Sequence, residues 1–216
     1  MILRPLAALA FLLTLSACVG ALLGGGKPDD LYRLDVTSLA IDPPTGQPHA
    51  ARRPIVLLRT RFAPEVDGDR LLTTQGHRAM YIKDARWVTS ASDLFTQSLR
   101  DVFAARAPDI LLATPRQPAG ADYALQLNIE RFEAVYAPDG AKDAAPTVRI
   151  EGEVRLIRIR DGKAAATQAI ATLSPAAQNR TGAIVPAFGA AASEYMVKVV
   201  DWSASLAVQS AGFERR

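Results

Sequence analysis

Few side chains in this chain carry reactive chemistry, and one of them stands apart. Cys18 is the only cysteine in 216 residues. It follows the small residues Ser16 and Ala17, so a nucleophilic sulfur is placed where a modifying enzyme can reach it. The only two histidines are His49, in a proline-rich stretch, and His77, after Gly76 between two short apolar runs. Neither belongs to a zinc-binding pattern, and there is no His-Glu-x-x-His. No Gly-x-Ser-x-Gly elbow or Ser-x-x-Lys motif offers a serine nucleophile with a base. Glu151 and Glu153 share one strand face with Arg149 and Arg155, the make-up of a solvated face. A glycosidase pair would instead flank a bond in a cleft. Gly24-Gly25-Gly26-Lys27 imitates a phosphate loop, but Ala21 replaces its first glycine and Pro28 stands where Ser or Thr should meet magnesium. No catalytic residue, cofactor or metal site is expected.

Around Cys18 the sequence is organised as an export signal. Arg4 supplies a positive start, Leu6 to Leu15 is apolar apart from Thr14, and small residues follow. The run is shorter than the ~20 residues of a spanning helix. Leu15-Ser16-Ala17-Cys18 resembles the lipobox of bacterial lipoproteins, in which the thiol is acylated, the chain is cut before it and the new amino terminus is acylated. Residues 1–17 are then a signal peptide and Cys18 the lipid attachment site. Two or more acyl chains hold a protein stably at a membrane where one does not. By the same resemblance Val19, in place of Asp, favours the outer membrane over the inner.

The remaining length suits one domain with a proper core. A formal charge of +3 gives no basic face of the kind nucleic-acid binders show. With Cys18 acylated no disulfide is available. No second long apolar segment is expected, so the rest reads as a periplasmic domain. Residues 18–30 are Gly-rich and polar towards their end, a flexible tether, and residues 31–210 form the folded domain.

Within that domain, Leu31 to Val36 alternates as a strand, Ile41 to Arg53 is a Pro-rich loop, and Ile55 to Leu58 is a buried strand. Arg70–Thr74 and Arg78–Ile82 follow the turn Pro64–Asp69. A helix is expected over Ser92–Arg106, capped by Ser90 or Ser92, with Asp93 at the positive end of its dipole and Pro108 closing it. Ile110–Ala113 is a strand. Tyr123 to Ile129 has period two, and the slip at Arg131-Phe132 predicts a bulge. Val148 to Leu156 and Lys163 to Leu173 complete three antiparallel strands, joined in part by Asp161-Gly162, a hairpin dipeptide. Gly182 to Pro186 reads as a break before a helix over Ala187–Val208. The expected fold class is α+β: a largely antiparallel sheet with a three-strand meander in the C-terminal half, packed by two amphipathic helices. Trp87 and Trp202 are expected in the core. Tyr81, with Arg86, is a candidate partner surface, since Tyr, Trp and Arg are enriched there.

Leu31-Tyr32-Arg33-Leu34, Asp69-Arg70-Leu71-Leu72, Met80-Tyr81-Ile82-Lys83-Asp84-Ala85-Arg86-Trp87, Asp122-Tyr123-Ala124-Leu125, Arg131-Phe132-Glu133-Ala134-Val135-Tyr136, Ala187-Phe188-Gly189-Ala190-Ala191 and Val200-Asp201-Trp202 occur in this order behind the lipobox. The set resembles the ABC-type transport auxiliary lipoproteins, the group that includes the paraquat-inducible lipoprotein C type, from Cys18 to about Leu206. The loop Ala137 to Ala145 and the Pro-free step Arg70 to Arg78 depart from the pattern. The resemblance implies a non-catalytic docking component of an envelope transport system. Its implied partners are an ATPase, a permease and a mammalian-cell-entry-type periplasmic protein that move lipids between the membranes. It leaves a homo-oligomer open. Only the lipid-bearing cysteine carries over, onto Cys18. The alternatives are a periplasmic lipid carrier that holds an apolar ligand between sheet and helices, and, more remotely, an envelope hydrolase.

Overall fold

The longest alternating run forms the spine of the domain. Strand β7, Tyr123–Tyr136, pairs antiparallel with β8, Thr147–Arg158, along nearly its whole length. β8 pairs antiparallel with β9, Ala164–Pro175. The computed structural model describes residues 28–36, 52–141 and 143–213, with side chains to residue 206. The signal segment 1–17, Cys18, most of the tether and His49 lie outside the described residues. The chain divides into two units, residues 1–30 and 31–216, and the second holds both helices and nearly the whole sheet.

On its other edge β7 takes three short strands in succession, all parallel to it. β2 (Arg53–Leu57) pairs at Tyr123 to Leu125, β3 (Arg61–Phe62) at Asn128 and Ile129, and β4 (Arg70–Gln75) at Glu133 to Tyr136. They behave as one interrupted strand. Backbone bonds from Leu58 N–H to Leu125 C=O (2.9 Å) and from Ala63 N–H to Ile129 C=O (2.8 Å) carry the pairing across the gaps. β6 (Ile110–Ala113) lies parallel beyond β2, and β5 (Arg78–Trp87) antiparallel beyond β4, with β1 (Asp30–Tyr32) next to β5. The nine-stranded sheet is therefore mixed: its long pairings β7–β8 and β8–β9 are antiparallel, as expected, and the short strands beside β7 add parallel pairings that were not. Period-two patterning reports which face a residue occupies and not the direction of its partner strand.

Helix α1, Ala91–Arg106, begins where Ser90 Oγ accepts the Asp93 N–H at 3.2 Å. It buries Phe95, Leu99, Val102 and Phe103. Helix α2, Thr181–Phe213, starts before the break expected at Gly182 to Pro186. The Arg180 carbonyl accepts from Ala183 and Ile184 and opens the helix. Pro186 falls early enough to forfeit only the bond to Gly182, so the helix runs through it. α2 also corrects the expectation of no second long apolar segment. Thr181–Leu206 is long and apolar enough to cross a membrane, yet 67% of its most apolar window is buried inside the fold.

The layer between sheet and helices is filled by rings. Phe132 of β7 meets Phe62, Trp87, Phe95 and Phe188 at centroid distances of 5.0–6.4 Å, and Tyr195 joins through Phe95 at 5.8 Å. Trp87 is fully buried, and Trp202 packs against the core half-buried.

Candidate functional site

Strand β5 loses register in the middle. Leu72 faces Tyr81 and Arg70 faces Arg86, so residues 82–85 stand opposite Leu71 alone. Four residues against one force the strand outward, and Asp84 turns it with φ +53°, a conformation Asp tolerates better than most side chains. The first half of β5 leaves an exposed surface at the β4–β5 hairpin. Met80 and Lys83 are exposed there, and Tyr81 retains 37% of its accessible area.

The two residues expected at a partner surface lie on this hairpin, and both also fasten the 63–69 connection. The Tyr81 hydroxyl donates to the Glu65 carbonyl at 3.0 Å, and the Arg70 guanidinium lies 4.3 Å from its ring centre. Arg86 Nη1 donates to both Asp69 carboxylate oxygens at 3.1 Å, while the Trp87 N–H bonds the Asp69 carbonyl at 2.6 Å. Nothing in the residue pattern marks Glu65, Asp69 and Arg70 as members of this cluster. Asp69 and Arg86 are 17 positions apart, and only the register shift makes them neighbours.

A second polar region crosses β7 and β8. Arg149 Nη2 contacts Glu151 Oε2 at 2.6 Å, and Glu153 pairs with Arg155. Across the strands Glu133 faces Arg149 and Arg131 faces Glu151. Arg131 Nη1 lies 3.7 Å from Glu133 Oε1, a carboxylate only 4% exposed. The hydrogen bond from Arg149, ahead of its charge, holds the Glu151 carboxyl below its ordinary value, with burial opposing. The same bond raises Arg149. Each carboxylate on β8 is thus taken up by an arginine two residues away.

His77 sits exposed in the β4–β5 turn, beside Gly76 at φ +57°. Among the described residues no group of three His, Cys, Asp or Glu is placed to hold a metal ion. The arrangement as a whole offers surfaces for binding: a basic and aromatic hairpin, and a balanced charge ladder.

No curated protein matches the chain. Among solved structures, a Xanthomonas campestris protein of family DUF330 superposes with a TM-score of 0.70 at 20% identity, covering 85% of this chain and 99% of its own. A second crystal structure, of an uncharacterized protein, gives 0.61 at 15% identity, covering 81% and 98%. At such identities these likenesses show the fold alone. A family model described as the ABC-type transport auxiliary lipoprotein component matches residues 32–200.

Proposed function

The chain belongs to the ABC-type transport auxiliary lipoprotein family, and from that premise we propose a non-catalytic docking role in lipid transport between two membranes. Residues 1–17 direct export, Cys18 carries the lipid, and residues 18–30 tether the domain 31–210 to the periplasmic face of the outer membrane. The partners are a mammalian-cell-entry-type periplasmic protein and, through it, an ABC permease and ATPase. Anchoring raises the effective concentration of the domain near such a partner without any added contact.

The observation that carries this reading is the extent of the family match, which covers the spine β7, the β4–β5 hairpin and α2 as far as Val200. The hairpin is the surface we assign to the partner. Tyr81 and Arg70 present it, and Arg86 keeps its shape through Asp69. The ring-filled layer between sheet and helices weighs against a carrier that stores ligand there.

Affinity isolation from membranes of cells that express the whole transport system tests the role. Permease, ATPase or the periplasmic component should co-purify with the full chain, and Tyr81→Ala with Arg70→Ala should reduce their recovery. Recovery of none of them overturns the docking role. Radiolabelled palmitate should enter the full chain and not its Cys18→Ser variant, and label in neither removes the anchor.

A further inference from the structure

Two arginines are brought to one cavity where no carboxylate among the described residues balances them. The cavity lies between the second half of α1 and strand β6, away from the hairpin. It measures about 230 Å³ and is lined by Arg52 and Arg100 together with Phe103, Ile110, Leu111 and Leu112. No acidic side chain among the described residues lines it. Some arginines of the domain are paired with carboxylates, among them Arg86 with Asp69, Arg106 with Asp201, Arg149 with Glu151 and Arg158 with Asp161. Arg52 is exposed and Arg100 half-buried, and neither side chain has a hydrogen bond or ion pair among the described residues. A guanidinium presents a planar fork of donors that suits a carboxylate or a phosphate.

The rest of the wall selects the other end of the ligand. Phe103 and Ile110 are buried, whereas Leu111 on the terminal strand β6 remains 38% exposed. An exposed leucine beside two cations suits an amphiphile, whose apolar part covers Leu111 while its charged head meets the guanidiniums. With a water taking about 30 Å³, the cavity holds about eight water volumes. That is room for a charged head and the first carbons of one chain, not for a whole two-chain lipid.

We propose that this cavity binds the anionic head of a single-chain amphiphile, with the head between Arg52 and Arg100 and the chain leaving along Phe103 and Leu111. The assignment rests on the cavity and its charges, not on the docking role above.

The test uses the full chain in lipid nanodiscs and three ten-carbon probes, each bearing a photoreactive diazirine: decanoate, decyl phosphate and decanol. Covalent label is mapped by mass spectrometry. One or both anions should label the segment 100–112 at least tenfold above decanol. The arm that labels more strongly identifies the head as carboxylate or phosphate. Arg52→Gln with Arg100→Gln should lower that labelling at least tenfold while the circular dichroism spectrum stays unchanged. Equal labelling by decanol, absence of label at 100–112, or undiminished labelling of the double variant overturns the site. The double variant should still co-purify with the transport components, which separates failure of this site from failure of the docking role.

Discussion

Gly152 lies opposite the irregular point of the spine. It pairs with Ile129 just where the β7–β8 register shifts, and a Cβ there would lie 2.2 Å from the Asn128 carbonyl oxygen. The obstacle is backbone within a paired strand, so it cannot swing aside. Gly152→Ala should cost about 1–3 kcal/mol, the usual range for overpacking, read as a lower denaturant midpoint with unchanged slope. Gly189 of α2 has the same character, since a Cβ would meet the Asp35 carbonyl oxygen at 2.2 Å. That close crossing accounts for a glycine within Ala187-Phe188-Gly189-Ala190-Ala191. At Glu151 the folded carboxyl titrates below its ordinary value of 4.5, through the bond from Arg149. Its contribution is complete above that value and disappears as pH falls through the depressed one. Glu151→Gln should therefore melt below the parent chain at pH 7, and the gap should close as melts are repeated below pH 4.5.

At the level of elements, the interrupted strand needs something to hold its longest gap, residues 63–69. Tyr81 and Arg86 do this from β5, and backbone bonds from Trp87 to Asp69 and from Ala91 to Gly68 link the gap to the start of α1. Arg86→Lys keeps the charge but loses the planar guanidinium whose Nη1 donates to both Asp69 oxygens. Because the pair is partly exposed, global stability should fall by less than about 1 kcal/mol. Hydrogen exchange should nevertheless speed up at the Val66, Trp87 and Ala91 amides, with those of Leu125 and Leu127 unaffected. Uniform acceleration across the domain would contradict this local role.

Across the whole molecule, one ring ties the layers together. Phe132 touches rings from β3, β5, α1 and α2. Truncating it to Ala should cost about 3–5 kcal/mol, a large share of the roughly 5–15 kcal/mol typical of a domain. Because all four elements lose a contact at once, far- and near-ultraviolet circular dichroism should still melt together, at a lower temperature. The same packing accounts for α2. Its composition would satisfy a bilayer, but its apolar side chains Phe188, Tyr195, Met196 and Val199 are consumed by sheet and α1.

Features that depend on near neighbours in the chain are legible in the residues themselves. Ser90 caps α1 because its oxygen reaches an amide three positions on. Asp161-Gly162 turns the chain because Gly162 takes φ +66° at no steric cost. The slip at Arg131-Phe132 marks the bulge because one extra residue reverses which side chains face inward. Tyr81 stands out by residue type, but its bond to Glu65 does not. Other features depend on distant segments meeting. The two-residue strand β3 carries no periodicity, and the parallel docking of β2, β3 and β4 leaves no mark on their composition. Arg52 and Arg100, 48 positions apart, come to one cavity only when α1 packs beside β6. Side-chain alternation and capping are local properties of covalent geometry, so the order of residues determines them. Strand direction, cavity walls and the balance of charge around a guanidinium are set only when the chain closes on itself, because they depend on which distant groups exclude water together.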